Sequence, residues 1–200
     1  VDVAMLDTIF SILESGVPIY TMTGESLNRS GYVDPATSPY DMYQCKDGYL
    51  VIACANDNTF NRLCQVMGRA DLIDDPKFCS NDKRCVNREQ LSEIITAWTM
   101  TRSKDEIEPA LIEEGVPVAS VLTIEQAASL PQIAAREMLV DVEHPTLGKI
   151  KLPGVPIKLY GTPGAVSTAA PLLGQHNDEV FASLGITPGR IEELKSLGII

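Results

Sequence analysis

The chain has 200 residues, 44 % of them hydrophobic and 22 % charged, and a chain of this size buries about 70 % of its unfolded surface without disulfide or metal staples. Sixteen basic against 27 acidic residues leave a net charge of −11. Such a surface repels nucleic acid and anionic lipid at long range, yet tolerates a small anionic ligand in a locally basic cleft. No apolar run reaches the eighteen or so residues of a membrane span, and no signal-peptide pattern opens the chain.

The first residue is Val1, and the segment that follows carries Val3, Leu6 and Phe10, with Ile9 and Leu13, at helical spacing up to Gly16. A chain that opens inside an element predicts a piece of a longer protein. From residue 16 to 39, Gly24, Gly31, Pro35 and Pro39 punctuate a polar stretch that reads as a linker or active-site loop. A compact unit starts near Tyr40. Lys46-Asp47-Gly48 is a turn, and Tyr49 to Cys54 is a continuous apolar strand. Asn56 to Asn58 cap a helix with Phe60, Leu63, Cys64 and Met67 on one face, closed by Gly68. Asn87 caps another, whose buried stripe is Leu91, Ile94, Ile95 and Trp98.

Ser103 and Glu106 form a capping box for a helix that ends at Gly115, with Pro109 expected to kink it. Val116 to Leu122 returns as a strand, and Thr123 with Gln126 forms a second capping box. Leu139–Val142, Lys149–Leu152 and Val155–Leu159 read as short strands, and residues 161–174 as an irregular crossing. Two helices close the chain, one from Asn177 to Leu184 and one capped by Thr187 with Pro188 at its first position, stopping at Gly198. The alternation predicts an α/β chain with an α+β small domain, residues 40–138, flanked by segments 1–15 and 139–200 that belong to something else.

Chemical signals are sparse. The five cysteines (Cys45, Cys54, Cys64, Cys79 and Cys85) are odd in number and form no C-x-x-C pair, which excludes a zinc ribbon and predicts reduced thiols in a cytoplasmic protein. His144 reads as a turn histidine satisfied by backbone, or else a catalytic one; His176 reads as the lead-in to a helix. Neither has the partners of a metal site, and no metal is expected. Lys77, Lys83, Arg84 and Arg88 are the one local concentration of positive charge, either a solvated face beside a helix or a landing site for a ligand's phosphate.

Taken in order, several segments resemble class III CoA-transferases. Val1 to Asp7 looks like the helix after that family's catalytic segment, and Ser38-Pro-Tyr-Asp-Met-Tyr43 with Asp47-Gly48 looks like the lead into its small domain. Asp75-Pro-Lys-Phe78, Arg84 and Asn87-Arg88, then Gly115-Val-Pro-Val-Ala119, resemble its recurrent patterns. Glu143 to Gly148, Thr162-Pro-Gly164 and Pro171 to His176 resemble its closing signature.

The resemblance implies a Rossmann-like large domain split between the two chain ends, and an interlocked homodimer. It implies CoA transfer from an acyl-CoA to a small carboxylic acid, with no bound cofactor, through an aspartyl-CoA thioester. The nucleophilic aspartate would lie upstream of Val1, so no catalytic residue is assigned within the chain. Asp2 and Asp7 are not promoted into its place. The substrate-facing candidates are Ser38, Tyr40 and Asp57. The stretch Tyr32–Ser38 matches the glycine-rich loop of formyl-CoA transferase but lacks its glycines. Asp57 stands near the catalytic glutamate of the racemase branch, although it also reads as a plain helix cap. The alternatives are an α-methylacyl-CoA racemase-like enzyme and a non-catalytic CoA-binding or assembly module. A split domain would leave Val3, Leu6 and Phe10, and Val180, Leu184, Ile191 and Leu194, without their natural cover.

Overall fold

A computed structural model describes residues 2–29 and 31–200; Val1, which the sequence reading counts with the first helix, lies outside them. The chain divides into two compact units that meet at Val121 and Leu122. Helices and short antiparallel strands make up both, so the α+β expectation holds.

The first unit opens with α1 (Met5–Ser11) and α2 (Gly16–Thr23), neither of which buries a residue. Gly16 therefore starts a helix where the sequence reading has it end one. The break falls instead at Glu14, whose φ of 43° takes the chain out of helical geometry. Gly24, at φ 75°, closes α2 in the left-handed conformation that glycine adopts without steric cost.

Beyond the linker, β1 (Tyr40–Cys45) and β2 (Gly48–Ala53) form a hairpin around Lys46-Asp47, and β3 (Val118–Ser120) pairs antiparallel on the far side of β2. Strand β1 was not expected. Its Tyr-Asp-Met-Tyr-Gln-Cys sequence buries only Tyr43 and Cys45, so its apolar alternation is too short to stand out.

Against the sheet lie α3 (Asp57–Val66), α5 (Arg88–Thr99) and α6 (Lys104–Glu113), joined by a 3-10 turn at Ala70–Leu72 and by α4 (Asn81–Val86). Leu50 and Ile52 of β2, Phe60 and Leu63 of α3, Leu91 and Ile95 of α5, and Ile107 and Leu111 of α6 form one buried core. The local signals perform as read. Asn56 accepts the Thr59 N–H at 2.9 Å, and Ser103 and Glu106 close their capping box. The expected stripe is only half sealed: Leu91 and Ile95 are buried, whereas Ile94 and Trp98 are half-buried. Arg102 stacks on the Trp98 ring at 4.9 Å.

Two contacts outside the β1–β2 ladder matter later. The Asp34 N–H donates to Tyr40 O at 3.1 Å, and the Thr99 hydroxyl donates to Gln44 O at 2.6 Å. At the hairpin turn, Asp47 accepts the Lys104 N–H at 2.8 Å, tying the turn to the start of α6. That N–H holds the Asp47 carboxyl below its ordinary value of 3.8. A lowered folded-state pKa contributes stability above the ordinary value, lost as pH falls through the folded one. The stability gap between the wild type and Asp47→Asn should therefore narrow as urea melts are taken from pH 7 to below pH 3.8. A gap independent of pH would show that this carboxylate does not stabilise the turn through its charge.

In the second unit, Thr123 and Gln126 box the start of α7 (Ile124–Ala128), and α8 (Pro131–Ala135) follows. Strands β4 (Leu139–His144) and β5 (Gly148–Pro153) form a hairpin. His144 is its turn histidine: Nδ1 accepts the N–H groups of Thr146 and Leu147, both at 3.2 Å. Val155–Leu159 is not a strand. Pro156 has no N–H to give a ladder, and Ile157 is 70 % exposed.

The chain ends in α9 (Asn177–Ser183) and α10 (Pro188–Ser196), the latter capped by Thr187 as expected. His176 stands at the cap of α9 without a capping bond from its side chain, which lies 3.5 Å from Glu179 instead. Of the apolar residues expected to lack cover, Val3, Leu6, Phe10, Val180 and Leu184 are exposed. Ile191 is buried and Leu194 half-buried, because α9 and α10 pack on each other.

Candidate functional site

The polar centre of the first unit is built on α4. Ser80 caps that helix, and the spacing of Asn81, Arg84 and Arg88 (the last at the start of α5) turns all three toward the linker that leads into β1. Arg84 is fully buried. Its Nε donates to Ser38 O at 2.7 Å, Nη1 to Phe78 O at 3.0 Å and Nη2 to Asp57 Oδ1 at 2.7 Å. The guanidinium also lies over the Phe60 ring, 4.4 Å from its centroid. A buried charge needs this many partners, since an unpaired one costs several kcal/mol.

Two of the three sequence-picked candidates, Ser38 and Asp57, thus meet through a residue that was not among them. Ser38 is buried, while the Asp57 side chain is 58 % exposed at the first turn of α3, where the helix dipole favours a carboxylate. Asp57 is more than a cap: Asn56 does the capping, and Asp57 neutralises Arg84. Tyr40, 40 % exposed, starts β1 two residues beyond Ser38.

The segment before it is held at almost every step. Beyond the Asp34–Tyr40 bond, Asp34 Oδ1 accepts the Ala36 N–H at 2.9 Å. Asn81 Nδ2 donates to Ala36 O at 2.8 Å, and its Oδ1 accepts the Ser38 N–H at 3.1 Å. Arg88 reaches Pro35 O at 3.4 Å, and the Cys54 N–H reaches Pro39 O at 2.8 Å.

This corrects the reading of the basic cluster. Arg84 is interior, Arg88 is turned to the linker, and Lys77 bonds Gln90 at 3.1 Å, so the four side chains do not form one phosphate-binding face. Asn87 does not cap α5 with its side chain; Nδ2 closes α4 by donating to Lys83 O at 2.9 Å and to Lys77 O at 3.2 Å. The missed signal was the spacing itself. Positions 81 and 84 put an amide and a guanidinium one turn apart on α4, with Arg88 following at the start of α5, and Phe78 and Cys85 near Arg84 hint at burial.

All five cysteines are free, and burial pushes the Cys54 and Cys64 thiols up to about 12, which keeps them protonated and unreactive at neutral pH. Among the described residues no group of three or more His, Cys, Asp or Glu side chains could hold a metal ion, and no helix is long and apolar enough to cross a membrane.

A profile of CoA-transferase family III matches residues 1–177. The succinyl-CoA–D-citramalate CoA-transferase of Chloroflexus aurantiacus is 34 % identical over 202 residues, covering 100 % of this chain and 50 % of that protein. The succinyl-CoA:mesaconate CoA-transferase of Haloarcula hispanica is 36 % identical over 190 residues, covering 94 % and 47 %. Among solved structures, a CaiB/BaiF family protein from Brucella suis superposes with a TM-score of 0.76 at 28 % identity, over 90 % of this chain and 47 % of that one. The chain spans about half the length of the curated relatives it matches. Matched by the profile over residues 1–177 and carrying the α+β unit built around Arg84, the chain belongs to CoA-transferase family III.

Proposed function

We propose that this chain supplies the small domain and the C-terminal part of the large domain of an acyl-CoA:carboxylic acid CoA-transferase, with the nucleophilic aspartate outside these 200 residues. What supports the reading is the family match over residues 1–177, together with coverage of only half of each relative. The polar cluster agrees with it. Arg84, the one buried charged side chain among the described residues, is spent on backbone carbonyls and Asp57, an arrangement that positions a loop and offers no nucleophile. Asp57, engaged by Arg84, is not poised as a racemase base.

In the proposed reaction an aspartate oxygen attacks the acyl carbon of the donor thioester, and the C–S bond breaks to release CoA thiolate. The thiolate attacks the aspartyl carbonyl of the resulting anhydride, expelling the donor acid and leaving an aspartyl-CoA thioester. An acceptor carboxylate reverses these steps and leaves with CoA. No electrons are transferred, so no redox cofactor is required. Segment 32–40 would face the acyl group through exposed Tyr40, with Asp57 across Arg84 and with buried Ser38 anchoring the segment from beneath. Exposed α1 and α9 would be covered by the rest of the large domain in an interlocked homodimer, and free thiols suit the cytoplasm.

The purified 200 residues, given succinyl-CoA with D-citramalate or mesaconate, should form no product thioester by mass-detected chromatography. The native polypeptide should be substantially longer than 200 residues by intact mass, and the full-length protein should catalyse transfer. Saturable transfer by the 200 residues alone would overturn the placement of the nucleophile.

A further inference from the structure

A loop that closes over a substrate must be free to move, and loops with few backbone bonds supply that freedom. Segment 34–39 is the opposite. Its backbone is bonded at Asp34 N, Pro35 O, Ala36 N, Ala36 O, Ser38 N, Ser38 O and Pro39 O. Three of those bonds come from two α4 side chains, Asn81 and Arg84. The partners lie 43 to 46 residues away in sequence, so the bonds form only once the small domain has folded.

We propose that α4 is a latch that fixes segment 34–39 in one shape, and that Asn81 is a positioning residue through which this fixed strap selects the acceptor acid. The inference rests on the CoA-transferase reading for the acceptor, and on geometry alone for the latch. A strap with one shape discriminates acids by fit to a preformed wall, and loosening it relaxes that choice. Asn81 is the informative member because its amide makes two of the bonds, donating to Ala36 O and accepting from Ser38 N, without filling the core as Arg84 does.

The structure contains its own control. Asn87, at the other end of α4, also makes two amide bonds to backbone carbonyls, those of Lys77 and Lys83, and touches no part of the strap. Asn81→Ala and Asn87→Ala each remove two hydrogen bonds to backbone, Asn81→Ala losing in addition a long one from Cys85 Sγ at 3.9 Å. Native-state hydrogen exchange on the 200-residue chain should show the amides of Asp34, Ala36 and Ser38 opening about tenfold more readily in Asn81→Ala and unchanged in Asn87→Ala. Asn81→Asp, which keeps the bond from the Ser38 N–H and loses the donor to Ala36 O, should fall between them.

In the full-length protein, Asn81→Ala should raise KM for the preferred acceptor more than it lowers kcat. It should also shrink the kcat/KM ratio between that acid and one shorter by a methylene, while Asn87→Ala leaves the ratio intact. Equal exchange in the two alanine variants would overturn the latch. Faster exchange with an unchanged acceptor ratio would overturn the role in selection. If the unsubstituted full-length protein transfers no CoA, the CoA-transferase reading and the acceptor role fall together, whereas the exchange comparison still decides the latch.

Discussion

Arg84→Ala is expected to destabilise the first unit by about 3–5 kcal/mol, the largest loss of any single polar substitution in the chain. The cost has two sources. Removing the side chain opens a cavity in a close-packed core, since Arg84 is among the largest of the fully buried side chains. It also leaves Ser38 O and Phe78 O without their donors, and each unsatisfied buried carbonyl costs about 1–3 kcal/mol.

Asp57 is not stranded by this change, because its carboxylate is more than half exposed and water takes over. Asp57→Ala should cost less than Arg84→Ala: it strands the buried guanidinium without its counter-charge, but Arg84 keeps its two carbonyls and water can enter where the half-exposed carboxylate stood. Arg84→Met restores much of the volume but none of the donors, and should fall between the two. Urea melts at unchanged m-value rank the three variants. If Arg84→Ala costs less than Asp57→Ala, the guanidinium is not the organising group and the ion pair is.

The second large effect is on Phe60→Ala, about 3–5 kcal/mol from lost burial and the cavity left behind. Phe60 is 1 % exposed and stands where α3 meets the Arg84 guanidinium. Part of its contribution is electrostatic: a desolvated guanidinium over an aromatic face gains up to about 2 kcal/mol from the ring quadrupole. A double-mutant cycle between Phe60→Leu and Arg84→Met isolates that part, with an expected coupling of about 1–2 kcal/mol. Strict additivity would mean that the ring and the guanidinium merely share space.

What was legible in the sequence divides along the range of the interaction. Asn56 with Gly68, Ser103 with Glu106, Thr123 with Gln126, and Thr187-Pro188 with Gly198 each act within a turn or at the two ends of one helix, and each does in the structure what it does on paper. Arg84 could not be read that way, because its partner Ser38 lies 46 residues off and its partner Asp57 lies 27 off. From sequence an arginine beside Asp82 and Glu89 belongs on a surface; only the fold shows that α4 turns it inward.

Strand β1 was invisible for a related reason. Its inward face is two residues deep, and what makes it a strand is β2, whose apolar run was seen at once. Val155–Leu159 failed in the opposite direction: the apolar run is there, but Pro156 breaks the donor row a neighbour would need. For the candidate site, Ser38 and Asp57 were named from a resemblance, and the side chain that joins them was filed with the basic surface.

The outer margin of β1 has a bearing on how this chain behaves at high concentration. An exposed sheet margin is a template on which a second polypeptide can lay a strand, and natural proteins guard such margins against runaway self-association. Here the guard is made of bonds already described. An incoming strand would have to displace Asp34 from Tyr40 and Thr99 from Gln44 before it gained a rung of its own. At the other margin, β3 offers only three residues, too few to seat a stable partner. Self-association of this polypeptide should therefore proceed through the bare apolar flanks of α1 and α9 and saturate at a defined size, without the thioflavin-positive fibrils that an open strand margin seeds.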